Sequence, residues 1–261
     1  GSNNTGLGMQ ALNANTTASN NTAVGYQAGY SNTTGERNTA MGVQSLYTNT
    51  TGSFNSAFGR ASLYFNTTGQ QNVANGQDAL FSNTTGSYNV AIGKSALETN
   101  TTANYNTAVG QGSGRYNTTG TENVMVGVAA LEDNTTGNYN AALGSEALTN
   151  NTTGSFNTAV GRKSLYVNST ASNNTALGYQ AGYSTTTSPY NTFIGGIAGQ
   201  NTTGSRNTFL GYNSGRDITS GSENTILGRF VGNQGGLDIR TSDNNIVLSD
   251  GAGNPRFTID G

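Results

Sequence analysis

The 261-residue sequence contains no cysteine, no histidine and no tryptophan, and only two prolines. Without cysteine the chain can form neither a disulfide framework nor a thiolate zinc site. Without histidine it lacks the commonest metal ligand and the usual general base of enzymes. We therefore expect a protein that is not an enzyme, with no catalytic residues and no cofactor of these classes.

Charge and apolar content are also low. Charged residues make up 9% and hydrophobic residues 33% of the chain, against roughly 25% and 45–50% in ordinary globular domains. The 11 basic residues are scattered among 13 acidic ones, whereas a nucleic-acid surface needs clustered Lys and Arg. No apolar run approaches the roughly 18 residues of a membrane span. We expect neither nucleic-acid binding nor membrane insertion.

The sequence is built from a repeat in which Asn is followed by a small triplet and Gly. The interval is seventeen residues up to Asn191, sixteen to Asn207 and seventeen again to Asn224. The repeat identifies a repeat protein. The Asn residues at position one of the copies are Asn4, Asn21, Asn38, Asn55, Asn72, Asn89, Asn106, Asn123, Asn140, Asn157, Asn174, Asn191, Asn207 and Asn224.

One copy, residues 21–37, reads NTAVGYQAGYSNTTGER. Seventeen residues are too few for two packed helices, and Thr, Asn and Gly are poor helix formers. Two short stretches, at NTAVG and around the residues at positions eight and nine, end in Gly or in Asn-Thr-Thr-Gly, which indicates strand, turn, strand, turn. The sequence predicts an all-β parallel β-roll or β-solenoid of about thirteen 17-residue coils over residues 1–230.

Alternation along the first strand places positions two and four on one face and positions three and five on the other. Position four is apolar in nearly every copy, so we predict that it faces a Leu at position nine across a thin core. The small face of positions three and five would then pack against another chain, and we expect a homotrimeric fibre. The predicted core consists of Val24, Met41, Phe58, Ile92, Val109, Val126, Leu143, Val160 and Leu177. The facing residues are Leu12, Leu46, Leu63, Leu80, Leu97, Leu131, Leu148 and Leu165.

The strings NVAIG at residues 89–93 and NTAVG beginning at Asn21, Asn106 and Asn157 resemble the head repeats of trimeric autotransporter adhesins. That resemblance implies a left-handed parallel β-roll in a homotrimer. The adhesin units are shorter by a few residues, and the NTTG turn is an addition to them.

The last thirty residues, GNQGGLDIRTSDNNIVLSDGAGNPRFTIDG, resemble the segment of bacteriophage tail fibres that precedes a C-terminal intramolecular chaperone domain of the endosialidase type. The resemblance implies a location outside the cell or on a virion surface, and a connector, residues 231–261, to a chaperone domain that is absent from this sequence. From the residues themselves we predict a strand over 245–249, a turn over 250–255 and a returning strand over 256–260. This hairpin would cap the edge of the solenoid.

Few residues are suited to catalysis or to metal binding. Glu132, Asp133 and Glu146 are the nearest approach to a carboxylate pair, but neighbours on a strand point to opposite faces. The string Gly235–Asp238 partly matches a calcium-binding nonapeptide, so calcium is the one cofactor that the sequence leaves open.

The Asn-Thr-Thr turns are N-glycosylation sequons, which predicts surface loops. Stacking of the turns would also align the Asn side chains in a hydrogen-bonded ladder, and we favour this structural role. The sequons begin at Asn15, Asn32, Asn49, Asn66, Asn83, Asn100, Asn117, Asn134, Asn151 and Asn201. The same stacking would place Thr33, Thr50, Thr67 and Thr84 about 4.8 Å apart, an array that could bind ice or a crystalline surface.

Aromatic residues recur at two positions of the copy. Exposed ladders of tyrosine can stack on sugar rings, and the alternative is that they stack on one another. The sequence thus supports a structural fibre shaft that forms or presents an attachment appendage, or an adhesin that binds a cell-surface glycan or receptor, with ice binding third. Position ten contributes Tyr30, Tyr47, Tyr64, Phe81, Tyr166 and Tyr183. Position seventeen contributes Phe54, Tyr88, Tyr105, Tyr139, Phe156 and Tyr190.

Overall fold

The structure is a computed structural model that describes residues 1–259. Over those residues the chain is an all-β parallel β-solenoid with coils of about 17 residues and no helix, as the repeat predicts. The chain divides into two compact units, residues 1–136 and residues 137–261. Each coil contributes one three-residue strand at positions two to four.

The first unit holds eight parallel strands that pair in sequence order. Each residue lies opposite the equivalent residue of the next copy, so that Ala23 pairs with Ala40 and Ala57 with Ala74. The strands are β1 (Thr5–Leu7), β2 (Thr22–Val24), β3 (Thr39–Met41), β4 (Ser56–Phe58), β5 (Val73–Asn75), β6 (Val90–Ile92), β7 (Thr107–Val109) and β8 (Val124–Val126).

The second unit repeats this arrangement and then changes direction. Its parallel strands are β9 (Ala141–Leu143), β10 (Thr158–Val160), β11 (Thr175–Leu177), β12 (Thr192–Ile194), β13 (Thr208–Leu210) and β14 (Thr225–Leu227). A small hairpin of β15 (Asn233–Gln234) and β16 (Leu237–Asp238) follows. The strand β17 (Ile246–Ser249) continues the parallel ladder beyond residue 230, and β18 (Pro255–Ile259) returns antiparallel to it. The predicted terminal hairpin forms, although Asp260 lies outside the described residues.

The interior of the coil is formed by positions three, eight and nine. The alanines at position three, such as Ala91, are fully buried, and so are Ala96 and Leu97 at positions eight and nine of the same coil. Every predicted Leu at position nine is buried except Leu12, which is half-buried. The position-nine half of the predicted core is therefore confirmed.

The prediction that position four faces inward is wrong for the chain as described. Because successive strand residues point to opposite faces, burial of position three turns position four outward. The reason is space: a narrow coil holds the Leu at position nine opposite an Ala, but has no room for a second large side chain. Met41, Phe58, Ile92, Leu143 and Leu177 are 37–46% exposed, and Val24, Val109, Val126 and Val160 are half-buried.

Volume exchange between positions three and nine supports this assignment. Where position three carries Met125 or Phe193, position nine of the preceding coil is Gly: Met125 lies against Gly114, and Phe193 lies against Gly182. A Cβ on Gly182 would lie 2.6 Å from Cδ2 of Phe193. A large side chain thus enters the coil from position three where Gly114 or Gly182, at position nine of the preceding coil, leaves space for it.

The second predicted strand is an arc of turns instead. Its residues at positions seven and nine have left-handed backbone, for example Gln44 with φ of 55° and Leu46 with φ of 54°. This region costs a side-chain-bearing residue about 1–2 kcal/mol, so Leu in it is not expected from sequence. This conformation is stabilised by hydrogen bonds to both neighbouring coils. The Gln44 amide donates to the Tyr26 carbonyl of the previous coil, and the Leu46 amide donates to the Ser62 carbonyl of the next.

Two ladders of buried asparagine complete the coil. At position one, the backbone amide of Asn38 donates to Oδ1 of Asn21 at 2.9 Å, and Nδ2 of Asn38 donates to the carbonyl of Gly52. At position twelve, Nδ2 of Asn66 donates to Oδ1 of Asn49 at 2.8 Å and to the Gly69 carbonyl at 2.9 Å. The predicted Asn ladder at position twelve is confirmed, while the one at position one was not predicted.

Candidate functional site

The most extensive candidate surface is the outward side of the strands, formed by positions two and four, which we call the outer strand face. In the first unit its exposed apolar side chains are Leu7, Met41, Phe58, Val73, Ile92 and Val124, at 37–66% exposure. In the second unit they are Leu143, Leu177, Leu210, Leu227, Ile246 and Leu248, at 39–46%. Parallel in-register pairing places equivalent residues in rows about 4.8 Å apart, so each unit carries an apolar strip.

The aromatic residues at position ten form stacked ladders. The ring centroids of Tyr30 and Tyr47 lie 5.1 Å apart, those of Tyr47 and Tyr64 lie 5.0 Å apart, and Tyr64 stacks on Phe81 at 5.3 Å. Desolvation, with smaller contributions from the neighbouring tyrosines, raises the pKa of Tyr47 above its ordinary value. The ring faces inside this ladder cover one another, so it presents edges and hydroxyl groups outward.

A second ladder segment in the first unit continues position ten with charged residues. Nε of Arg115 donates to Oε2 of Glu98 at 2.8 Å, and this bond is the main reason why the pKa of Arg115 is raised. Glu132 occupies the next level, and burial followed by the charge of Asp133 raises its pKa. In this column the stacked rings are followed by the ion pair of Glu98 with Arg115 and by Glu132, an arrangement that was not predicted from the sequence.

The aromatics at position seventeen are more exposed. Tyr88 and Tyr105 stack at 5.0 Å with 43% and 57% exposure, and in the second unit Tyr139 and Phe156 stack at 4.9 Å. Gln71 and Glu122 occupy position seventeen on either side of the first pair. Each tyrosine of that pair therefore keeps one ring face uncovered by another aromatic ring.

Of the remaining candidate residues, Glu146 and Asp238 form ion pairs within the protein. Asp133 has a pKa raised by burial, and Glu146 pairs with Lys163 at 3.4 Å. In the partial calcium string, Asp238 receives two hydrogen bonds from the Arg240 guanidinium, which lower the pKa of Asp238. Within residues 1–259, no group of three or more acidic, His or Cys side chains is placed to hold a metal ion.

The threonine rows and sequons also serve the coil. Oγ1 of Thr33 donates to the Thr50 carbonyl at 2.9 Å, and Thr50 and Thr67 repeat the contact, so these hydroxyl groups do not form a free array. The prediction that the sequon asparagines lie on the surface is wrong for eight of ten, which are buried in the ladder. Asn15 is half-buried, and Asn201, in the shortened copy, is exposed.

Across the part of the chain that the structure describes, no helix has the length and apolar character needed to span a bilayer. The chain matches no protein-family model, no curated protein and no solved structure at a significant level.

Proposed function

We propose that the chain is a non-enzymatic structural fibre shaft, assembled as a homotrimer, that forms or presents an appendage for attachment to a host or surface. The observation that carries the proposal is the outer strand face, an apolar strip in each unit that no other part of the described residues covers. Monomeric soluble proteins rarely leave large contiguous apolar patches open to water.

The free energy available from covering this face is of the size that association needs. Fully burying a large apolar side chain contributes about 1.5–3 kcal/mol, so covering the remaining 40% yields about 0.6–1.2 kcal/mol for each. The six exposed side chains of each unit then yield about 4–7 kcal/mol per unit. Two such strips are comparable with the roughly 4–15 kcal/mol that association costs.

A second copy of the chain is the partner that fits this face best. Its strips have the same spacing between coils, so apolar residues of one copy meet apolar residues of the other at almost every coil. The resemblance of NVAIG and NTAVG to trimeric adhesin heads supports three copies. The C-terminal resemblance supports a tail-fibre-type protein outside the cell or on a virion.

Light scattering on a size-exclusion column tests the proposal. The intact chain should have three times the chain mass of 26.8 kDa. The double variant Met41→Glu, Ile92→Glu places charges on the outer strand face and should run as a folded monomer. Thr51→Glu with Thr102→Glu, at exposed residues of position fourteen, is the matched control and should remain trimeric. A folded monomer for the unmodified chain would refute the proposal.

Carbohydrate binding is the second candidate function, favoured by the exposed pair of Tyr88 and Tyr105. An open ring face on each tyrosine can stack on a sugar, and the hydroxyl groups remain free to form hydrogen bonds. On a glycan array, Tyr88→Ala with Tyr105→Ala should abolish binding. Tyr47→Ala with Tyr64→Ala should leave it intact, since those ring faces cover one another. The opposite pattern would assign the site to the position-ten ladder, and an array without any signal would reject this candidate.

A further inference from the structure

Asn75 is the exception in the outer strand face of the first unit. Every other strand of that unit has an apolar residue at position four, whereas β5 has Asn75. In register it lies beside Phe58 on one side and Ile92 on the other. Val73, on the same face of its own strand, is 37% exposed. An exposed amide thus stands among exposed apolar side chains.

The coil itself does not use this amide. The asparagines at positions one and twelve donate and accept within their ladders, but the described residues form no hydrogen bond with the side chain of Asn75. The backbone carbonyl of Asn75 accepts from Gly93 as the strand geometry requires, and any residue could supply that carbonyl. The side chain is therefore free to serve a contact outside the chain.

An apolar strip of identical repeats is ambiguous in register. If one copy slides along another by one coil, about 4.8 Å, apolar residues still meet apolar residues at almost every level. A single polar residue removes the ambiguity, because amides paired across the contact can hydrogen-bond to each other, while an amide placed against apolar side chains loses its hydrogen bonds on burial. A lone buried Asn sets register in coiled coils by this means.

We propose that Asn75 fixes the axial register between copies of this chain in the fibre. The proposal rests on the homotypic assembly proposed above. In the aligned assembly the Asn75 side chains of neighbouring copies meet and exchange amide hydrogen bonds. In any slipped assembly each of them faces Phe58, Ile92 or a more distant apolar residue of the partner.

Disulfide trapping can read the register directly, because the chain contains no cysteine. A disulfide requires Cα atoms within about 7 Å, so a one-coil slip moves two equivalent residues out of range. Full-length chains with Ile92→Cys and full-length chains with Val109→Cys are co-expressed and oxidised. Peptide mapping then counts like pairs, 92 with 92 and 109 with 109, against the mixed pair of 92 with 109, which forms only after a one-coil slip.

With Asn75 present, like pairs should exceed mixed pairs by about tenfold, a ratio equivalent to about 1.4 kcal/mol. In the Asn75→Val background the excess should fall to within about twofold of equality, because each slipped state regains apolar contact at that level. Valine occupies position four in β2, β7 and β8, so this variant should fold and melt no lower than the unmodified chain. Asn75→Gln, which keeps an amide, should preserve the excess.

The outcomes separate the two proposals. If light scattering gives a trimer and the ratio is unchanged by Asn75→Val, Asn75 does not set the register although the assembly stands. An equal mixture of like and mixed pairs in the unmodified chain would overturn the register proposal in the same way. A monomer would overturn both.

Discussion

A double substitution that moves the large side chain from position three to position nine tests whether position three points into the coil. In the first unit Gly114, with φ of 57°, leaves space that Met125 fills, and a Cβ on Gly114 would collide with the Met125 sulfur. Elsewhere in that unit the usual pair is Leu at position nine and Ala at position three, as in Leu80 and Ala91. Gly114→Leu together with Met125→Ala therefore rebuilds the common arrangement.

Each single change should destabilise the chain. Met125→Ala opens a void beside Gly114 and should cost about 2–5 kcal/mol. Gly114→Leu overfills the coil and should cost about 1–3 kcal/mol. In the double variant the new Leu adopts the left-handed backbone that Leu80 and Leu97 already have, with φ of 51°. Its burial offsets the conformational cost, and we expect stability within about 1 kcal/mol of the unmodified chain.

Urea unfolding of the four proteins gives the coupling energy between the two sites. We expect the sum of the two single costs to exceed the cost of the double variant by about 2–9 kcal/mol, well above the 0.3–0.5 kcal/mol within which independent sites add. Additive single costs would show that Met125 does not occupy the space opposite position nine, and the assignment of the faces would fail.

Two further predictions concern buried amides and the terminal turn. Asn66→Ala removes three hydrogen bonds of the ladder and leaves the Asn49 oxygen without a donor, whereas the Gly69 carbonyl keeps Asn55 and the Asn83 amide keeps Gly86. We expect a loss of at least about 2 kcal/mol in urea unfolding, against less than about 0.5 kcal/mol for the exposed Asn201→Ala, and equal losses would contradict the ladder. Asp250 accepts hydrogen bonds from the Asn254 amide and the Arg256 guanidinium, which lower its pKa from 3.8 to about 2. Because the folded pKa lies below the unfolded one, the carboxylate stabilises the β17–β18 turn above about pH 4, and this contribution is lost as the pH falls towards 2. Protection factors at Gly253 and Asn254, which correct for the intrinsic pH dependence of hydrogen exchange, should fall over that interval, and Asp250→Asn should remove that fall; protection that stays constant between pH 5 and pH 2 would rule this out.

Much of the architecture can be predicted from the sequence because it depends on spacing. A period of seventeen sets the coil, and in-register pairing of Ala23 with Ala40 follows from stacking identical copies. The NTTG turns predict a ladder because Asn32, Asn49 and Asn66 must come into line. The Leu at position nine is recognisable as core because it is large and apolar in most copies.

Which face of the strand points into the coil could not be predicted from the pattern alone. Position three is small and position four is large, and in an ordinary sheet the large residues face the core. In a coil this narrow, a Leu at position nine such as Leu80 is followed in the next coil by a small residue at position three, Ala91, and Ile92 turns outward. The left-handed backbone at Leu46 and Leu63 could not be predicted for a similar reason. Leu adopts this conformation only where neighbouring coils supply both the hydrogen bonds and the burial.

Oxidation of the three methionines by dilute peroxide tests the central claim most directly. Met125 is fully buried within the coil, Met41 lies on the outer strand face, and Met9, 66% exposed at position six, is the internal reference. If the outer strand face is covered by other copies, Met9 should oxidise rapidly while Met41 and Met125 both resist. Met41 should become reactive in Phe58→Glu with Ile92→Glu, which places two charges on the same face and which we expect to be monomeric. Oxidation of Met41 as fast as Met9 in the unmodified chain would contradict the account.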